Sequence, residues 1–503
     1  MSVFKEYSEY DALGLAELVR NGEVSAQELL GEAKERLSLI NTRFNAVTYQ
    51  AEKMSRSLIE NLDKKSLFCG VPFLVKDLML PFKDMPLSNG SNAMKGYIPA
   101  ENSIMADKIN ASGLITFGKT NAAELGAFSL TKPTAFGETL NPWDASKNSG
   151  GSSGGSTVVV AARVVPMAYS SDGGGSIRLP ASYCGIFGFK PSREINQYED
   201  MSKAWGGAVV SHVSTLSVRD SAAYLDLVAG NVDNRYSIIN PDEKTYLYST
   251  ALDRKKLKIG LITEAPTQTV VHPDCIRAAE VAAQACENLG HSVVPTTWNF
   301  DGRELMRAFL TIVMNYTYRD VCGIAKLLGV SVENLDLELN TKFMSLAGSG
   351  ISQEKVEQAL GVWRKASQKM TEMHKQFDLI LTPTVATPPL ESDALDPNVV
   401  ETLAMKLMVA TGLAKRAVTD KSLELGIDKA VYQTPFTPIA NITGQPAMSV
   451  PLHWDSNGLP HGSHFMADIN NDRTLFTLAR QLESECPWVN RVPNEIKEHL
   501  VNS

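Results

Sequence analysis

The sequence predicts an α/β fold in which one central β-sheet is covered by helices on both faces. From about residue 70, short apolar runs alternate with stretches at helical spacing, which is the pattern of strands and helices in alternation. Helical stretches lie between several of the runs, as in 273–289. The strands are predicted at 73–75, 114–117, 164–169, 258–262, 291–294, 379–381 and 447–450.

The first 65 residues are predicted to form a helical extension. Asp11 can cap a first helix that Gly22 ends, and Ser25-x-x-Glu28 is a capping box at the start of a second helix. Residues 66–503 are predicted to form the core, with a helical insertion near 395–430. We expect the whole chain to be one structural domain.

Composition excludes several classes of function. The 503 residues are 44% hydrophobic and carry a net charge of −8, and no basic run suggests contact with nucleic acid or anionic lipid. The most apolar segment, 158–168, is interrupted by Arg163 and Pro166 and is too short to span a bilayer. The six cysteines are scattered without a C-x-x-C pair or a Cys/His cluster, so neither a disulfide framework nor a metal site is predicted.

These features together set the expectations for location and partners. The first residues lack the basic and apolar stretches of a signal peptide. We expect a cytoplasmic protein with no cofactor, metal, membrane or nucleic-acid partner. A homodimer remains open.

The segment from Gly113 to Thr120 matches the G-x-x-x-x-G-K-[ST] pattern of nucleotide-binding loops. Its four intervening residues, however, are Leu, Ile, Thr and Phe, which favour a strand. A helical pattern precedes Gly113, so the order of elements is the reverse of a nucleotide loop. A nucleotide-binding protein that uses 113–120 is therefore a remote alternative.

A second motif, G-x-S-x-G, occurs at 151–155 with Ser153 at its centre. A nucleophile elbow of an α/β-hydrolase needs a buried strand before this serine. Residues 141–150 instead have the composition of a loop, and no histidine lies in a recognisable triad context. The α/β-hydrolase interpretation is therefore weaker than the one that the two glycine-rich loops support together.

Two glycine-rich loops, 150–155 and 171–176, enclose one predicted helix–strand unit. Because the chain runs out along the helix and returns along the strand, we expect Ser152 and Ser176 to lie close together. The glycines before Ser176 allow several backbone N–H groups to converge on one point, as an oxyanion hole requires.

These segments resemble the amidase signature family. The likeness is carried by 70–78 around Lys76, by 150–155 and by 172–191, and it extends to 118–124, 217–220 and 441–446. The two ends of the chain are most similar to 6-aminohexanoate-cyclic-dimer hydrolases and their amidase relatives. The resemblance implies the amidase-signature fold, with a mixed sheet, and hydrolysis of the carbon–nitrogen bond of a small linear or cyclic amide.

The resemblance also implies roles for individual residues. Ser176 attacks the carbonyl and forms an acyl-enzyme. Ser152, which follows a cis peptide bond in the family, relays the proton of Ser176, and Lys76 is the terminal base. The backbone N–H groups of the loop are the oxyanion donors. Two further side chains are candidates for substrate binding, although Ser153 also suits a helix cap and Arg178 a structural role. The oxyanion candidates are Gly173, Gly174, Gly175 and Ser176.

Lysine acts as a base only when it is neutral, so its pKa must fall from about 10.4. Burial after the apolar run 73–75 would lower the pKa of Lys76, because burial disfavours the charged form. Asp77 would oppose this, and we expect its carboxylate to turn away. The same residues would also serve the glutaminase (A) subunit of a tRNA-dependent amidotransferase, which is the main alternative.

Overall fold

The computed structural model describes residues 4–193, 195, 200–229, 245–250, 255–416 and 418–501. Its central element is a mixed sheet of eleven strands. The strands are β1 (Val47–Gln50), β2 (Pro72–Lys76), β3 (Ile115–Thr120), β4 (Met167–Asp172), β5 (Phe187–Lys190), β6 (Val210–Thr215), β7 (Lys258–Leu261), β8 (Ser292–Pro295), β9 (Leu379–Pro383), β10 (Ala447–Trp454) and β11 (Pro460–Ala467). Their order in the sheet is β1-β3-β2-β4-β6-β5-β10-β11-β9-β7-β8.

Helices cover both faces of this sheet, so the predicted fold class is confirmed. The helices among the described residues are α1 (Ala12–Asn21), α2 (Ala26–Phe44), α3 (Glu52–Glu60), α4 (Ile104–Ala111), α5 (Gly154–Ala161), α6 (Arg178–Cys184), α7 (Val218–Val228), α8 (Tyr246–Ser249), α9 (Pro273–Asn288), α10 (Gly302–Leu328), α11 (Leu339–Gly348), α12 (Gln353–His374), α13 (Val399–Ala410), α14 (Asp420–Ala430), α15 (Thr437–Thr443), α16 (Asp472–Glu485) and α17 (Asn494–Val501). None of them is long and apolar enough to cross a membrane.

All seven predicted strands coincide with strands of the sheet, but β1, β5, β6 and β11 were not predicted. Two of these carry many polar side chains, although every residue in them is buried. In β6, for example, the His212 ring lies 2.8 Å from Ser221 Oγ, and Ser214 Oγ lies 2.9 Å from Ser170 Oγ. Because hydrogen bonds satisfy most of these groups, with His212 Nδ1 as an exception, the strands can be buried without forming an apolar run.

The N-terminal segment has the predicted caps and also adds a strand. Asp11 accepts a hydrogen bond from the Gly14 amide, and Gly22 ends α1 with φ 76°. Both hydrogen bonds of the Ser25–Glu28 capping box are present at the start of α2. Strand β1 then pairs antiparallel with β3 at the edge of the sheet. The segment 395–430 contains α13 and α14.

The apparent nucleotide-binding loop is a buried strand. Gly113, with φ 86°, follows α4, and Ile115–Thr120 forms β3, which pairs with β1 on one side and β2 on the other. The Lys119 side chain is fully buried, and its Nζ donates to the Leu80 carbonyl at 3.1 Å. A phosphate therefore has no access to this lysine, and the alternative of a nucleotide-binding loop at 113–120 is wrong.

Helix α1 is tied to the core by a buried carboxylate from α7. Asp220 accepts hydrogen bonds from the Ala12 amide at 2.7 Å and the Leu13 amide at 3.0 Å. We expect Asp220→Ala to lower the free energy of unfolding by roughly 2–4 kcal/mol, because it leaves two amides of the first turn unpaired. Urea denaturation measures the effect, with the exposed Glu101→Ala as control. Equal midpoints for the two variants would contradict this account.

Candidate active site

The site forms where two parallel strands end side by side. Strand β2 ends at Lys76 and β4 ends at Asp172, and the two strands pair in parallel through Leu74–Ala168 and Val75–Tyr169. Helix α5 precedes β4 along the chain, so the start of α5 lies at the edge where β4 ends. The loop that leads into α5 therefore meets the end of β2.

The Lys76 amine lies among three serine hydroxyls. Its Nζ is 2.7 Å from Ser152 Oγ, 2.8 Å from Ser153 Oγ and 3.0 Å from Ser171 Oγ, and the side chain is fully buried. A protonated amine donates to all three, whereas a neutral amine donates two hydrogen bonds and accepts one. The predicted meeting of Lys76 with Ser152 is present. Ser171 was not predicted, although its position at the end of a strand next to β2 could have indicated it.

Burial lowers the pKa of Lys76 to about 7, while the negative charge of Asp172 acts in the opposite direction. A substantial fraction of the amine is therefore neutral near neutral pH. Asp77 points away as expected, since its Oδ1 accepts from the Ser88 amide at 3.0 Å and lies 4.0 Å from Lys119 Nζ. The neutral, basic form of Lys76 is thus accessible.

A buried ion pair holds the glycine-rich loop after β4. Arg178 Nε donates to Asp172 Oδ2 and Arg178 Nη2 donates to Oδ1, both at 2.9 Å. The remaining guanidinium contacts are the Thr437 carbonyl, Asn441 Oδ1 and His464 Nε2. Burial alone would raise the pKa of Asp172, but the Arg178 guanidinium holds it below its ordinary value. Every guanidinium nitrogen thus has a protein partner, so this geometry supports a structural role for Arg178 rather than substrate binding.

The same carboxylate uses one of the four candidate oxyanion donors. The Gly175 amide donates to Asp172 Oδ1 at 2.7 Å, so it is not available to a substrate. The amides of Gly173, Gly174 and Ser176 form no hydrogen bond with other described residues. Gly175 has φ 128°, and a Cβ atom there would lie 2.3 Å from Thr437 Oγ1, so only glycine fits.

Ser176 lies at the wall of a large cavity and is partly exposed. The cavity has a volume of about 680 Å³ and is lined on this side by Gly174, Gly175 and Leu179 as well. The Ser176 hydroxyl forms no hydrogen bond with another described residue. Its direct contact with Ser152, which the relay requires, therefore stays a prediction.

Comparisons with known proteins show which family the chain belongs to. The family model described as Amidase matches residues 28–476. The chain belongs to this amidase family. It is 30% identical to the 6-aminohexanoate-cyclic-dimer hydrolase of Paenarthrobacter ureafaciens over 491 residues, which cover 96% of each chain. It is also 30% identical to a lipoamidase of Enterococcus faecalis, covering 96% of this chain and 64% of that protein.

A solved structure of 6-aminohexanoate cyclic dimer hydrolase with its substrate is similar throughout. The TM-score is 0.85 at 29% identity, and the match covers 97% of this chain and 99% of the other. Membership of the amidase family, together with the buried lysine–serine cluster, identifies the chain as an enzyme that hydrolyses amide bonds.

Two expectations from the sequence, the cis peptide bond before Ser152 and the helix cap by Ser153, differ from the structure of this amidase. No peptide bond of the described residues is cis, and the turn before Ser152 contains Gly150 and Gly151 with φ 76° and 55°. Ser153 stands at the N-cap of α5, but its side chain forms no capping hydrogen bond. Its hydroxyl donates instead to the Ser171 carbonyl at 3.1 Å. Because Ser153 is fully buried against Lys76, it supports the amine and does not reach the cavity.

We expect the stability of the protein to depend on the Asp172–Arg178 ion pair. Asp172→Asn leaves the guanidinium of Arg178 buried without a counter-charge, so we expect the free energy of unfolding to fall by about 3–5 kcal/mol. Urea denaturation of this variant and of the Asp172→Asn/Arg178→Met double variant tests the cause. The double variant should recover part of the loss, since it contains no unpaired charge. If it is less stable than the single variant, the ion pair is not the reason.

Proposed function

We propose that this amidase uses Ser176 as nucleophile, Ser152 as proton relay and Lys76 as base. The observation that supports the proposal most directly is the contact of 2.7 Å between Lys76 Nζ and Ser152 Oγ, in a position where burial lowers the pKa of the lysine. A serine hydroxyl needs such a base before it can attack a carbonyl. The cavity beside Ser176 gives the substrate access to it.

The reaction follows from these positions. Neutral Lys76 takes the proton of Ser152 while Ser152 takes that of Ser176, and Ser176 Oγ bonds to the carbonyl carbon. The oxyanion accepts hydrogen bonds from loop amides, for which Gly174 and Ser176 at the cavity wall are best placed. The intermediate collapses as the carbon–nitrogen bond breaks, and the relay returns a proton to the leaving amine. Water, activated by the same relay, then hydrolyses the acyl ester and releases the acid.

The assignment of the nucleophile is tested by substitution. We expect Ser176→Ala to lower kcat/KM by roughly 10⁴-fold or more, because no acyl-enzyme can form. Lys76→Ala and Ser152→Ala should each cost about 10²–10⁴-fold, as expected for loss of a general base or relay. Turnover of simple anilides measures these effects. The control is Ser146→Ala, an exposed loop serine that should leave the rate unchanged. Wild-type turnover by Ser176→Ala would refute the assignment.

The pH dependence tests the base. Protonated Lys76 cannot accept a proton, so kcat/KM should rise with pH and level off above an apparent pKa of about 7. Since kcat/KM reports ionisations of the free enzyme, an anilide and a matched ester should give the same midpoint. A profile that stays flat from about pH 5 to about pH 9, or midpoints that depend on the substrate, would argue against Lys76.

The apolar walls of the cavity support an amide with a hydrocarbon body as substrate. Most small-molecule sites are lined in the same way. Two relatives are named for a cyclic dimer and for lipoamide, so cyclic and acyl-chain amides belong in a substrate panel. Turnover by the purified chain alone would distinguish a free-standing amidase from an amidotransferase subunit. The principal apolar wall residues are Trp205, Phe309, Phe343, Met344, Met405 and Met408.

We also propose that this amidase is cytoplasmic, acts without nucleic acid and forms a homodimer. The net charge of −8 supports action without nucleic acid, and six free thiols support a cytoplasmic location. Helix α13 exposes Val399, Val400, Leu403 and Leu407 by between 61% and 84%, and such an apolar face supports a homodimer. Light scattering of the wild type and of Leu403→Glu gives the mass in solution. A monomeric mass for the wild type would remove the homodimer from the proposal.

A further inference from the structure

The wall of the cavity carries an excess of negative charge. Lys132 pairs with Asp396, and Lys429 Nζ lies 2.8 Å from Glu401, so these four groups neutralise each other. The two other carboxylates form no ion pair with a described residue. The charged groups of the lining are Glu124, Glu338, Asp396, Glu401, Lys132 and Lys429.

The two unpaired carboxylates differ in their availability. Glu124 is buried, and its oxygens accept from Ser91 Oγ at 2.6 Å and from the Glu338 amide at 3.0 Å. Glu338 is only partly buried, and its Oε1 accepts from the Thr134 amide at 2.7 Å. Glu338 Oε2 forms no hydrogen bond with a described residue. This oxygen is therefore free to contact a ligand in the cavity.

We propose that Glu338 binds an ammonium group of the substrate, so that the enzyme prefers amides with a cationic end over amides with a carboxylate end. This inference rests on the proposed function. An ammonium offers three N–H donors and a full positive charge to the free carboxylate oxygen. A substrate carboxylate in the same cavity would face the unpaired carboxylate of Glu338 and find its potential cationic partners, Lys132 and Lys429, already engaged.

The apolar part of the wall suits the rest of such a substrate. Phe343 and Met344 belong to α11, which begins directly after Glu338, and Phe309 belongs to α10. Methylene groups between the ammonium and the amide can pack against these side chains while Ser176 lies at the same cavity. The substrate class is therefore an amide with a hydrocarbon spacer and a terminal amine.

A purely structural role for Glu338 makes a different prediction. Its Oε1 accepts the Thr134 amide, and this hydrogen bond could by itself explain the residue. Glu338→Gln keeps an acceptor oxygen for that amide and removes only the charge. Glu338→Lys reverses the charge. The matched control is Glu333→Gln, an exposed carboxylate nearby in sequence that does not line the cavity.

The experiment compares six-carbon amides that end in an ammonium, a methyl or a carboxylate group. One series carries the variable end on the acyl part and a second series carries it on the amine part, since either could contact Glu338. The readout is the ratio of kcat/KM for the ammonium member to that for the methyl member. Melting temperatures confirm that each variant is folded.

In at least one series, Glu338→Gln should lower this ratio by about tenfold, and Glu338→Lys should raise the relative rate of the carboxylate member. Glu333→Gln should leave the ratio unchanged. If both series show the same ratio in wild type and Glu338→Gln, Glu338 does not recognise charge and the inference is wrong. The proposed function fails separately, when wild type and Ser176→Ala turn over the methyl members equally.

Discussion

The carboxylate of Asp172 is the group on which the arrangement of the site depends. It is fully buried at the end of β4, and the Arg178 guanidinium compensates its charge through two hydrogen bonds. The Gly175 and Ile177 amides donate to the same carboxylate, so the loop that carries Ser176 is shaped around it. Its charge also counteracts part of the effect of burial on Lys76. One carboxylate thus shapes the loop that carries Ser176 and partly offsets the effect of burial on the pKa of Lys76.

The position of the lysine reflects a balance between two requirements. The proposed role of Lys76 as a base requires a neutral amine, and complete burial favours this form because it disfavours the ammonium. A buried amine must nevertheless have hydrogen-bond partners, because an unpaired polar group is costly. Three serine hydroxyls meet this need without adding a charge that would raise the pKa again. Hydroxyls are also able to reverse the direction of a hydrogen bond, which suits a relay.

Much of the fold and the central part of the site could be predicted from the sequence. Apolar runs such as β2 and β9 are recognisable because burial on both faces requires them, whereas β6 is buried with hydrogen-bonded polar groups and gives no such signal. The contact between Lys76 and Ser152 could be predicted because both residues lie in segments that resemble the amidase signature family. The loss of Gly175 as an oxyanion donor could not be predicted, since it depends on which amide faces Asp172. Likewise, partners of Arg178 such as Asn441 come from a distant part of the chain.

Two parts of the chain line the cavity, and they have different roles. The serines and the lysine belong to strands and loops in the first half of the sequence, while α10, α11, α13 and α14 supply most of the opposite wall. Helix α13 contributes side chains to the cavity but has no buried residue of its own. Substitutions there need not disturb the core or the reacting groups. During evolution, substitutions in this helical wall can therefore change the substrate specificity while the lysine–serine cluster stays the same.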